Sequence, residues 1–218
     1  MTHFESDLAK LKDMLLTMGS HAETAVQTAL KALTERDDER ARSVKDNDSV
    51  LDQFEIDVDE SALLLLAKAP LARDLRLITV AMKVSQNLER VGDEATTIAR
   101  RAIELNTEPQ LKPYVDLPRM ANIAIDMLRD ALGAFVTGDA EKARRVVPRD
   151  KEVDLINKQL HRELTSFMIE KPVTISRCLH LMTISKSLER IADHATNVAE
   201  EVVFLLEAKD IRHEHPAA

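Results

Sequence analysis

The sequence predicts an all-α protein built as two tandem three-helix bundles, six long helices related by internal duplication. Three observations carry this. Only four Gly and seven Pro punctuate 218 residues, and aromatics are 3% with no Trp, which leaves little material for many short strands and tight turns. Apolar residues recur at alternating steps of three and four along most of the chain, the pattern of helices with one buried face. The motif of residues 85–99 returns one hundred residues later in residues 185–199, with Ser, Leu, Glu, Arg, Asp, Ala, Thr and Ala in register.

Taken in order, the first helix is expected from about Glu5 to Arg36, its stripe running through Leu8, Leu11, Leu15, Met18, Ala22, Ala25, Ala29 and Leu33. Asp37-Asp38 reads as a break and an N-cap, because an acidic side chain can accept from the unpaired first-turn amides. The second helix then runs to about Lys68 through Leu51, Phe54, Val58, Ala62 and Leu65, and Pro70 ends it. A third spans about Leu71 to Leu105. Asn106 to Pro118 holds three prolines and reads as linker. The plan then repeats: a fourth helix from about Pro118 to Thr137, a fifth to about Glu170 with a kink or late start expected at Pro148, and a sixth from about Val173 to Ala208. This gives a first bundle at 1–107, a linker at 108–115, a second bundle at 116–209 and a polar, frayed tail at 210–218. The two halves align at an offset of 102 up to Pro70/Pro172 and at 100 beyond it. Each unit can bury its own stripes as a bundle.

A net charge of −8 with no basic run argues against nucleic-acid binding. The lone Cys178 admits no internal disulfide and reads as a small core residue. The first residues show no apolar signal segment, and the longest apolar run, Ala62 to Ala67, is too short to cross a bilayer. A soluble, cytoplasmic protein is expected.

The chemistry sits in repeated carboxylates. Asp48 and Asp52 lie one position past the apolar stripe of the second helix, and Glu89 and Asp93 hold the same phase on the third. Folding an antiparallel hairpin at Pro70 brings Asp52 level with Glu89 and Asp48 level with Asp93, roughly 27 Å from the turn at 1.5 Å per residue. Folding the second hairpin at Pro172 does the same for Asp154 with Glu189 and Asp150 with Asp193. A like-charged pair one helical turn apart costs about 0.2–0.5 kcal/mol, and more when half buried. A cation removes that cost. Oxygen-only donors select hard metals (Mg, Ca, Mn or Fe) and argue against structural zinc. Against this stands the commoner use of Glu-x-x-x-Asp as a solvated face, here with Arg90 and Arg190 as counter-ions. His161, on the acidic flank, reads as a surface residue.

Pro70-Leu71-Ala72-Arg73-Asp74-Leu75-Arg76, followed by Leu88-Glu89-Arg90-Val91-Gly92-Asp93 and a second Leu188-Glu189-Arg190-Ile191-Ala192-Asp193, resembles the PhoU family over residues 1 to 208. The second half has Ser176-Arg177-Cys178 where the first has Asp-Leu-Arg, so any role of Arg76 is not duplicated. The resemblance implies metal at the acidic motifs, iron clusters in some members, and a non-enzymatic role. In that role the chain helps a phosphate ABC transporter silence a sensor histidine kinase when phosphate is plentiful. The implied partners are the transporter's ATPase subunit, through which alone it would meet the membrane, the kinase, and a second copy in a homodimer. Two other classes stay open from the residues themselves: a carboxylate-bridged di-metal enzyme of ferritin-like type, though no His follows a Glu by three as such sites require, and a metal-free helical adaptor.

Overall fold

The computed structural model describes residues 3–68 and 71–212. Among them are eight α-helices and no strand: α1 (His3–Glu35), α2 (Asp38–Asp46), α3 (Asp48–Leu66), α4 (Ala72–Asn106), α5 (Asp116–Thr137), α6 (Ala140–Val146), α7 (Asp150–Glu170) and α8 (Ile175–Glu207). Counting α2–α3 and α6–α7 as one broken rod each restores six rods, three per half. The turn at Pro70 and the tail beyond Arg212, with His213 and His215, lie outside the described residues.

The expected second helix is therefore two helices, a correction to the continuous rod the stripe suggested. The break falls within Asp46-Asn47-Asp48-Ser49, four residues whose short polar side chains compete for backbone groups and favour helix ends. Asn47 closes α2, its side-chain amide donating to the Ser43 carbonyl at 2.8 Å. In the second half the expected break at Pro148 takes the form of a short 3₁₀ turn, Val147–Arg149. Pro has no N–H to give and is tolerated there, but not farther inside a helix. The breaks place Asp48 and Asp150 at the first residue of α3 and α7. Asp37 caps α2 as expected, accepting from the Arg40 amide, and its counterpart Asp139 caps α6 in the same way, accepting from the Lys142 amide.

α1 and α5 each end on a left-handed residue. After α5 this is Gly138 at φ 67°, where a missing Cβ makes the turn inexpensive. After α1 it is Arg36 at φ 57°. Its guanidinium donates to the carbonyls of Asn106 and Glu108 at 2.8 and 2.7 Å, holding the start of the linker against the bundle.

The core is aliphatic, with Leu11, Leu15, Leu88, Ile98, Leu128 and Leu188 among the fully buried side chains. α1 packs on α4 and α5 on α8, while α4 and α8 lie lengthwise against each other and join the halves. Lys83 meets Glu201, Asn87 meets His194 and Glu94 meets Arg190, so partners climb α4 as they descend α8. The helices are antiparallel, about an approximate twofold axis near Gly92 and Ala192. α2–α3 and α6–α7 flank this four-helix centre from outside. Cys178 is a buried free thiol, as read from the sequence.

Candidate functional site

Each acidic motif occupies the groove between the legs of a hairpin, α3 with α4 and α7 with α8. In the first hairpin Glu89 is half-buried, its side chain 15% exposed. Burial, the neighbouring Asp93, and the facing Glu55 and Asp52 push its carboxyl up to about 7, against a smaller opposing pull from Arg90. Asp48 is raised too, by burial and by Asp52 and Asp93. Its Oδ1 accepts from the Thr96 hydroxyl at 3.0 Å, which opposes the rise. The second hairpin repeats the pattern with different weights. Burial, Asp150 and Glu189 push Asp193 up to about 6, and Asp150 rises through burial, Asp154 and Glu189.

All eight predicted residues thus line the two expected grooves, four beside each hairpin seam, and within each groove acids from both legs feel one another. The burial is uneven. Asp193 has enough protein around its carboxyl to raise it yet, like Asp52, keeps much of its surface open to solvent, and the other six are half-buried. The oxygens do not converge: among the described residues no three His, Cys, Asp or Glu side chains stand close enough to hold a metal ion. Counter-ions lie close instead. Arg90 reaches Asp93 at 3.0 Å and Glu89 at 3.4 Å, while Lys186 pairs with Glu189. Arg190 does not serve its own motif. It crosses the seam to Glu94 at 3.1 Å.

The donor set nonetheless fits a hard cation. Buried polar atoms ordinarily have partners, yet Asp150 Oδ1 and the Thr196 hydroxyl are buried without a hydrogen-bond partner. Oxygen donors of this kind, with carboxyls held above their ordinary range for want of positive charge, are what Mg²⁺, Ca²⁺, Mn²⁺ or iron neutralises. Thr96 and Thr196 were passed over among the candidates, although both stand in the duplicated motif three residues past the Asp. That recurrence was the available signal. Lys186 carried none, because Gln86 holds its place in the first copy. His161 is half-buried at the surface, and its Nε2 has no hydrogen-bond partner.

A tandem pair of helical hairpins, each with paired acids along its seam and no strand among the described residues, defines a class of duplicated all-α proteins. The PhoU domain family matches the chain twice, at residues 15–102 and 117–202. Relatives named phosphate-specific transport system accessory protein PhoU homolog are similar throughout. The one from Pseudomonas putida is 42% identical over 212 residues, 96% of this chain and 83% of its own length. The one from Pseudomonas aeruginosa is 40% identical, covering 96% and 88%. Crystal structures agree: PhoU from Pseudomonas aeruginosa superposes with a TM-score of 0.92 at 39% identity, covering 95% of this chain and 100% of that one. The phosphate transport system regulatory protein PhoU from Streptococcus pneumoniae gives 0.90 at 29%, covering 95% and 99%. The chain belongs to the PhoU family.

Proposed function

We propose that this protein is a non-enzymatic accessory regulator of phosphate uptake. It keeps the phosphate-starvation response silent by linking the ATPase subunit of a phosphate ABC transporter to a sensor histidine kinase. The observation that carries this reading is that family likeness spans both repeats and nearly the whole length of relatives so named. Two features support protein partners. No helix among the described residues is long and apolar enough to cross a membrane. The hairpin ends also expose Leu63, Leu64 and Leu71 on one side and Ile169 and Val173 on the other, an apolar surface of the sort that marks interaction sites. The protein works in the cytoplasm, as a homodimer. Deleting its gene should derepress phosphate-responsive genes in phosphate-rich medium, and unchanged expression there would refute the regulatory role.

In this reading each hairpin holds a hard cation, through Asp48, Asp52, Glu89 and Asp93 in one and Asp150, Asp154, Glu189 and Asp193 in the other. The cation supplies the positive charge that a cluster of half-buried carboxylates lacks. Changing Glu89 and Asp93 together to Ala should halve the metal content of protein purified without chelator while leaving its helicity intact. A metal-free adaptor is the second reading, favoured by Arg90 and Lys186 already standing beside the acids. Wild-type protein that takes up no Mn²⁺, Fe²⁺, Mg²⁺ or Ca²⁺ on titration would establish it. Oxygen-dependent turnover by metal-loaded protein would instead show a ferritin-like oxidase.

A further inference from the structure

At the end of the molecule where α1 and α4 begin and α5 and α8 finish, the halves leave an open groove of about 790 Å³. Three cations line it from two helices: Lys12 on α1, and Arg73 and Arg76 on α4. None of them has an ion-pair partner among the described residues, whereas most other Arg and Lys side chains near the seam are engaged. Arg76 is half-buried, and its Nε is buried with no acceptor. A guanidinium N–H removed from water and left unbonded is costly to keep. Arg101, Arg144 and Arg177 also carry an unbonded buried nitrogen, but each has a carboxylate partner through its guanidinium, whereas Arg76 has none among the described residues. Two acids, Glu5 and Asp74, also face the groove, so its net charge is modestly positive. Phe135 and Leu206 give it an apolar floor.

The twofold-related end shows what a closed version looks like. There the linker after α4 crosses, and the cations are spent on it. Arg36 binds the carbonyls of Asn106 and Glu108, and Arg177 binds Glu108 and the Pro109 carbonyl. The positions equivalent to Lys12, Arg73 and Arg76 are Tyr114, Val173 and Ser176. The basic cluster is therefore unique to one end, and the duplicated scaffold does not require it.

We infer that this groove binds a small, multiply charged phosphate anion. Arg76 grips it through Nε and a terminal nitrogen, as guanidinium does with oxyanions, and Arg73 and Lys12 close on it from the rim. The volume suits a nucleotide-sized phosphoester, whose body would lie on the apolar floor. The site is independent of the acidic hairpins and stands whether or not those hold metal.

The test is calorimetric titration of the full chain, dialysed free of metal, with pyrophosphate (the charged head alone) and with ATP (head and body). Saturable binding at one anion per chain is expected for at least one of them, and their relative affinity tells whether the floor contributes. Arg76→Gln and Arg73→Gln should each weaken it by roughly tenfold or more, as expected for a lost charge-assisted hydrogen bond. Arg177→Gln, whose guanidinium is already engaged, should bind as wild type. Arg73 is exposed, so its variant keeps the test sound even where Arg76→Gln lowers the thermal midpoint. No saturable binding of either anion overturns the inference, as does binding that both groove variants leave unchanged. Association with phosphatidylglycerol vesicles without binding of the soluble anions would likewise overturn it, in favour of a membrane surface.

Discussion

The two halves share a backbone plan and differ in how side chains close it, nowhere more than along the α4–α8 seam. At one end of the seam Lys83 donates to both oxygens of Glu201 at 3.0 and 3.1 Å and lies 5.8 Å over the Phe204 ring. At the other end the equivalent residues are Thr183 and Arg101, and Arg101 turns to Glu104 on its own helix. The first half leaves a cavity of about 290 Å³ beside Asp48, bordered by Thr28 and Asn47. The second fills the corresponding place with Arg149, bonded to Asp130 at 2.8 Å. Duplication preserved the rods and let the contacts between them diverge. The asymmetries are where each half was free to acquire its own chemistry.

The largest effect should come from the buried end of that seam. Glu201 is 8% exposed in its side chain and depends on Lys83, with Arg212 farther off at 3.4 Å. Removing one partner of a buried pair typically costs about 3–5 kcal/mol. Lys83 is itself 45% exposed and Arg212 remains, so Lys83→Met should lose about 1–3 kcal/mol on chemical denaturation. Thr183→Val, its twofold counterpart, should stay within about 0.5 kcal/mol. Equal losses at both positions would show that the seam is energetically symmetric after all.

A smaller effect tests how each half packs where the approximate axis passes. A Cβ on Gly92 would come 2.3 Å from Leu51 Cδ1. The second half has Ala192 and, in place of Leu51, the shorter Val153. One side gained about what the other gave up. Gly92→Ala alone should cost about 1 kcal/mol, overpacking outweighing the gain in helix propensity. Adding Leu51→Val should recover most of it, a coupling of order 1 kcal/mol. Simple additivity in that double-mutant cycle would remove the packing explanation.

These pairs also show what the sequence could and could not reveal. The rods were legible because each stripe, such as Leu11-Leu15-Met18-Ala22, is local and periodic. The acids' common groove was legible because level and phase follow from helix geometry and the hairpin turn. The break at Asn47 was hidden by apolar periodicity that runs straight through it, although Asp46-Asn47-Asp48-Ser49 held the propensity signal. Convergence of the oxygens was beyond reach, since rotamers answer to neighbours on other helices. So was the destination of Arg190, whose partner lies 96 residues away. The open basic groove was visible only as an unduplicated Arg76, because the space it faces is made by four helix ends.

The smallest expected effect isolates the cause of the unlike titrations. In the first hairpin Glu89 is the carboxyl pushed highest, and in the second it is Asp193. Burial is the largest cause at both, and the seam decides which motif keeps its arginine. Arg190 is drawn across to Glu94, which leaves Asp193 without its motif's arginine. The twofold counterpart of Glu94 is His194, held below its ordinary range chiefly by burial and, unlike a glutamate, never negatively charged. It offers Arg90 no negative charge, so Arg90 turns back onto Asp93. Both raised carboxyls bind protons more readily folded than unfolded. Their contribution is thus full below the ordinary carboxylate range and is lost as pH rises through about 6 for Asp193 and about 7 for Glu89. Metal-free protein should accordingly lose stability between about pH 4.5 and 7, and a bound cation should flatten that slope by competing with the protons. Glu94→Gln releases Arg190 and should return the Asp193 titration, followed by carboxyl ¹³C NMR, toward the ordinary aspartate range while Glu89 stays put. His194→Glu should do the converse, pulling Arg90 away and raising Glu89 further. An Asp193 midpoint that ignores Glu94 would mean burial alone sets it, and one residue at the seam would no longer account for the difference between the hairpins.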